Sequence, residues 1–178
     1  MKKILIINKE QYGQHIDSYK YCKHLGNKYN LKYLCFDQGY NKIKDEVDVV
    51  YVKKHNNSLV STLIFVQEIN KELKKEQYDL IFVVYFSFCS LLRLTNFSTH
   101  FLLDIRSSLI YQNYIKRRFA NLFLLLETFF YKDITLISDS LRKFLYISKK
   151  RSHIIPLGAD ILSTKNKNYS DMHLFYIG

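Results

Sequence analysis

Tryptophan is absent from this chain, proline occurs once, glycine five times and cysteine three times in 178 residues. So few glycines leave no G-x-G-x-x-G and no G-K-[ST], which disfavours NAD-dependent and P-loop enzymes. Cys22, Cys35 and Cys89 are widely spaced and odd in number, with no Cys-x-x-Cys. Neither a disulfide framework nor a zinc site is expected, and a reducing cytoplasm is the natural home. The six histidines show no ligand spacing, so no metal is expected, and no carboxylate pair has the context of a glycosidase. No apolar run reaches the length of a membrane span. The start, Met1 to Lys9, holds only four apolar residues before Asn8, too few for a signal peptide and enough for a first strand. Acidic residues are also scarce, 16 against 27 Lys and Arg, giving a formal charge of +11.

Such a charge suits nucleic acid, an anionic membrane surface or phosphorylated substrates. A coding bias toward Lys, Asn, Ile and Tyr would also produce it, so charge alone does not choose. The 48% apolar content and dispersed charges indicate a globular chain large enough for a real core.

Short β-rich runs alternate with longer helical patterns, the signature of a parallel α/β sheet. Strands are expected at Lys3–Asn8, Leu31–Phe36, Val47–Val52, Leu80–Tyr85, His100–Ile105, Ile134–Ile137 and His153–Ile155. Helical stripes run through Ile16, Tyr19, Cys22, Leu25 and Tyr29, and through Leu59/Val60, Leu63, Val66, Ile69 and Leu73. A long helix is expected from Leu109 to Tyr131, with Tyr111, Ile115, Phe119, Leu122, Leu126 and Phe129 packed on the sheet. Lys116, Arg117 and Arg118 form a cationic collar on it. A last helix, Ser140–Ile147, has Ser138 or Asp139 as its cap. Right-handed crossovers make a Rossmann-like, doubly wound, mainly parallel sheet the simplest topology.

Residues 1–162 form that domain. The polar stretch Ser163–Asp171 reads as a linker, and Leu174–Gly178 as a strand of another domain. Two segments carry a family resemblance. Asp133-Ile-Thr-Leu-Ile-Ser-Asp-Ser-Leu leads to Ile154-Ile-Pro-Leu-Gly-Ala-Asp160 and then to His173-Leu-Phe-Tyr-Ile-Gly178. Together with Leu103-Asp-Ile-Arg-Ser107, these are similar to the end of the N-terminal, acceptor-side domain of family 4 glycosyltransferases, two-domain enzymes of the GT-B fold. The resemblance implies retaining transfer from a nucleotide-sugar, used as substrate rather than cofactor and without an obligatory metal. It implies that the donor-binding residues lie in a second domain, in cis or in trans, and that this half is inactive alone.

Ligands of doubly wound sheets bind beyond the carboxyl ends of the strands. On that rule and the resemblance, the candidate acceptor-binding residues are Tyr12, Gly13, Gln14 and His15 after strand one, Phe86 and Ser87 after strand four, and Asp104 and Arg106 at the end of strand five. Asp104 can orient a sugar hydroxyl, and Arg106 offers a planar fork for phosphate or carboxylate. Equally, the two can pair with each other. Pro156, Gly158 and Asp160 read as hinge chemistry. The acceptor is expected to be a sugar or a lipid-linked sugar, and the resemblance implies that the domain sits peripherally on the inner face of an anionic membrane. A bacterial surface polysaccharide or glycolipid pathway is the expected setting. Rival readings are a non-catalytic subunit that completes its site with a separate chain, and a nucleic-acid-binding module, which no motif supports.

Overall fold

In the computed structural model, which describes residues 1–96 and 99–156, the apolar runs become seven strands. They are β1 Lys3–Ile7, β2 Asn30–Asp37, β3 Asp48–Lys53, β4 Leu80–Val84, β5 Phe101–Ile105, β6 Asp133–Leu136 and β7 Ser152–Ile154. The helices are α1 Ile16–Leu25, α2 Ser58–Lys75, α3 Leu91–Thr95, α4 Tyr114–Thr128 and α5 Asp139–Phe144. All strand pairings are parallel, in the order β3-β2-β1-β4-β5-β6-β7. The chain starts mid-sheet, winds out to β3, returns to β4 and winds the other way to β7. This is the doubly wound Rossmann-like α/β architecture that the alternation of elements implies.

The pleat divides the core in two. Leu5 and Ile7 of β1 face the larger cluster, with Phe65 and Ile69 of α2, Leu92 of α3 and Leu124 of α4. Ile4 and Ile6 face the smaller one, under Cys22 and Tyr19 of α1. Right-handed crossovers impose this split, because α1 carries the chain toward the β3 edge of the sheet while α2 to α5 carry it toward the β7 edge. The central strands β1 and β4, covered on both faces, are therefore apolar almost throughout.

Side chains close the helix starts as their sequences suggest. Asn57 accepts from the N–H groups of Leu59 and Val60, Asn113 from that of Lys116, and Ser138 from that of Leu141. Three expectations change. The stripe in α2 holds from Val66 to Leu73, but Leu59, Val60 and Leu63 are exposed, and Ser61, Thr62 and Phe65 are buried instead. The short α3 was not foreseen. The largest correction concerns α4: Tyr111, Ile115, Phe119, Leu122, Leu126 and Phe129 do not pack on the sheet but are 47–69% exposed. The buried side of α4 is Asn121, Leu124, Glu127 and Thr128.

That inversion has a physical reason, since each buried polar group has partners inside. Asn121 donates to the carbonyls of Leu109 and Arg117, both at 2.9 Å, and accepts from the N–H of Leu109 at 2.9 Å. Glu127 accepts from the Tyr85 hydroxyl at 3.0 Å and from the N–H and hydroxyl of Ser90 at 3.2 and 3.0 Å. These bonds fix the rotation of α4 about its axis, because a buried carboxylate turned away from its donors would be left unsatisfied. The linker and final strand expected over 163–178 lie outside the described residues.

Candidate functional site

The sheet order reverses between β1 and β4, so the loops that follow them diverge toward opposite faces and leave a crevice at the carboxyl edge. The β1–α1 loop is anchored from below. The carbonyl oxygen of the Gln11 side chain accepts from the N–H of Gln38 at 2.8 Å, and its amide donates to the carbonyl of Tyr40 at 2.8 Å. Asn8 donates to Ser18 at 3.2 Å and accepts from the N–H of Glu10 at 3.0 Å.

Tyr12 is fully buried, with edge-on contacts to Tyr19 and Tyr33 and its hydroxyl donating to Asp45 at 2.8 Å. Burial and that acceptor hold its phenol well above the usual range. Gly13 has φ +93°, and the position of a Cβ there is occupied by the side chain of Ile43 at 2.3 Å. The close approach that this glycine permits is thus made by the β2–β3 connection. Gln14 is exposed and His15 half-buried. His15 caps α1, its Nδ1 accepting from the N–H of Ser18 at 3.2 Å, which puts the ring proton on Nε2. Burial lowers its pKa, opposed by Asp17 and assisted by Arg106.

His15, Asp104 and Arg106 come together on the α1 side of the sheet. Asp104 is 1% exposed; it accepts from the Thr135 hydroxyl at 2.6 Å and from Arg106 Nε at 2.8 Å. Burial pushes its carboxyl up, to about 7, against the pull of Thr135. Arg106 also donates to the carbonyl of Ile155 at 3.1 Å, lies over the Tyr21 ring at 5.3 Å and has Asp17 3.6 Å away. Its Nη2 is buried and has no partner among the described residues. This pair therefore clamps the end of β5 to the residue before Pro156. Pro156 is exposed at the end of β7. Gly158 and Asp160 lie outside the described residues.

The β4 side is separate. Phe86 is buried against Phe65 on the opposite face of the sheet, and Ser87 is exposed beside it. Lys9 reaches over the Phe86 ring at 5.0 Å and donates to Thr62 at 2.7 Å; burial lowers its pKa. Lys9, Asp17 and Thr135 were not singled out by sequence. Lys9 had a legible signal, since it follows β1 directly, whereas Asp17 and Thr135 join the site only through tertiary pairing. Cys89 is a fully buried thiol whose pKa burial raises, so it is no nucleophile. Among the described residues no cluster of His, Cys, Asp and Glu could hold a metal ion, and no helix is long and apolar enough to cross a membrane.

No known protein-family pattern matches this chain, and no curated protein does. Solved structures do share its fold. Anabaena Alr3699/HepE, in complex with UDP and glucose, superposes with a TM-score of 0.65 at 14% identity, over 90% of this chain and 45% of its own. Sucrose-phosphate synthase from Thermosynechococcus elongatus gives 0.62 at 13% identity, over 90% and 49%. The lipopolysaccharide outer core galactosyltransferase WaaB gives 0.60 at 12% identity, over 90% and 47%. The chain spans about half the length of these proteins, and its fold is that of one half of the GT-B architecture.

Proposed function

We propose that this chain is the acceptor-side half of a retaining, family 4-like glycosyltransferase that uses a nucleotide-sugar donor. Its setting is the synthesis of a bacterial surface polysaccharide or glycolipid. The observation that carries the reading is topological: a doubly wound sheet with its crevice at the β1/β4 switch, superposing on about half of each of several solved structures, among them a galactosyltransferase and a protein in complex with UDP and glucose. In this reading Gln14, His15, Ser87 and Arg106 meet the acceptor. His15 donates from Nε2 to a sugar oxygen, and Asp104 positions Arg106 rather than touching the sugar. Tyr12, Gly13 and Phe86 shape the loops from inside. The described site holds no activated nucleophile and no free acid–base pair, which supports a role in holding and orienting the acceptor while the reacting donor is held by another half.

The test is sugar transfer from a panel of labelled nucleotide-sugars, by the chain alone and by the chain supplied with a donor-binding half in cis or in trans. Transfer is expected only with both halves, and Gln14→Ala or Ser87→Ala should raise KM for the acceptor without unfolding the chain. Absence of transfer from every donor with both halves present would overturn the reading.

A further inference from the structure

The two sides of the crevice differ in charge. On the α1 side, Arg106 already meets carboxylates, Asp104 at 2.8 Å and Asp17 at 3.6 Å. On the α2 side, the half-buried Lys9 makes no ion pair among the described residues. Its ammonium donates to Thr62 at 2.7 Å and lies 5.0 Å from the centre of the Phe86 ring. By contrast Lys32, also partly buried, is met by Asp48, Glu72 and Glu76.

The acids near Lys9 are engaged elsewhere. Glu10 accepts from the Gln38 amide at 3.1 Å. Glu127 is buried and accepts from Tyr85 and Ser90, and burial raises its pKa, which weakens it as a counter-charge. A second cation faces the same way. Period two along β3 sets Lys54 in line with Val50 and Val52, which pack on the α2 side of the sheet. Burial lowers the pKa of Lys9, opposed by Cys89 and Glu127 and assisted by the charge of Lys54. Across from them Ser87 is exposed, and Phe88 beside it has φ +71°, a left-handed conformation rare for phenylalanine. Strain of this kind concentrates at ligand sites. An ammonium has three donors, and the described residues accept from one. Half-burying such a cation without a counter-charge is unfavourable, and a bound oxyanion would supply one.

We propose that Lys9, flanked by Lys54 and Ser87, is the subsite for an oxyanion carried by the sugar acceptor, a uronate carboxylate or a sugar phosphate. This rests on the transferase reading and narrows it: the acceptor is an acidic sugar. Gln14 and His15, on the same loop as Lys9, meet its hydroxyls while Lys9 meets its charge. A neutral sugar leaves Lys9 without a partner, so the subsite discriminates by charge. The phosphates of a nucleotide are the rival source of the same chemistry.

The test is titration of the isotope-labelled chain with glucose, glucuronic acid, glucose 6-phosphate and UDP, followed by backbone amide resonances. Both acidic sugars are expected to bind on the order of tenfold more tightly than glucose and to shift Lys9 and Ser87. Lys9→Met should bring them to the affinity of glucose, whose own binding, unchanged, reports an intact fold. Lys54→Gln, an exposed change that leaves the core untouched, should reduce the preference roughly twofold. Equal affinity for acidic and neutral sugars, or a preference that survives Lys9→Met, overturns the proposal. So does binding of UDP that needs Lys9 while the acidic sugars show no preference, which would give the oxyanion to the donor. Glucose bound at Gln14 and His15 without any preference for acid sinks this proposal alone. Acidic sugars bound at Lys9, with no transfer when both halves are supplied, sink the transferase reading alone.

Discussion

At the scale of single residues, the Asp104–Arg106 pair carries the sharpest energetic expectation. Removing the guanidinium leaves the Asp104 carboxyl, 1% exposed, with Thr135 as its remaining side-chain partner among the described residues. Arg106→Leu should therefore cost about 3–5 kcal/mol of stability in urea unfolding. Adding Asp104→Asn should recover much of that loss, a coupling that independent sites would not show. Gly13 is a second fixed point. Gly13→Ala meets both φ +93° and the Ile43 side chain, and should cost more than about 1 kcal/mol. Ile43→Ala in the same chain should return the steric part and leave the backbone part. His15 links stability to pH. Its pKa is lowered, so the cap it supplies is intact above its unfolded value and is lost as pH falls below 6.5 and through the folded value. His15→Asn keeps a cap without the titration, and should flatten this part of the pH–stability profile.

At the scale of elements, α4 separates pattern from placement. Phe119→Gln and Leu122→Gln should each change stability by no more than about 0.5 kcal/mol. Leu124→Ala, on the buried side, should cost about 2–5 kcal/mol. The reverse result would put the apolar stripe back on the sheet. At the opposite edge of the sheet, Lys32 bridges Glu72 at 2.9 Å and Glu76 at 3.0 Å, and Lys3 joins Glu76 at 2.5 Å. Hydrogen bonds from Lys3, Lys32 and Tyr78 hold Glu76 down, to about 2, and Glu72 is also lowered, by Lys32 and Tyr78 against its burial. Carboxylates lowered in the fold contribute stability above 4.5 that is lost as pH falls toward 2, and Lys32→Met should reduce that acid dependence.

The same helix explains why the sequence was only partly legible. Strand positions could be read because central parallel strands are apolar on both faces and need no partner to be recognised. A helix stripe, by contrast, says that one side is apolar without saying what it faces. Asn121 and Glu127 held the missing information, as lone polar residues in an apolar helix, and their partners Leu109, Tyr85 and Ser90 become visible only in three dimensions. The site was legible to the same degree. Asp104 and Arg106 were found by their place at the end of β5. Their attachment to Thr135 and to the Ile155 carbonyl was not, because β6 and β7 reach them only through sheet order.

At the scale of the molecule, the doubly wound sheet has one carboxyl edge, and two loops diverge from it at the β1/β4 switch. Every acceptor-binding residue proposed for this chain lies on loops or strand ends at that edge, while the cationic, apolar face of α4 lies outside it. The most direct test is to titrate the isotope-labelled chain with a set of simple glycosides and follow its backbone amide resonances. The account predicts shifts concentrated at Gln14, His15, Ser87, Arg106 and Ser107. Shifts confined to the amino edge, around Asn27, Glu46 and Tyr78, would contradict it, as would no response to any glycoside.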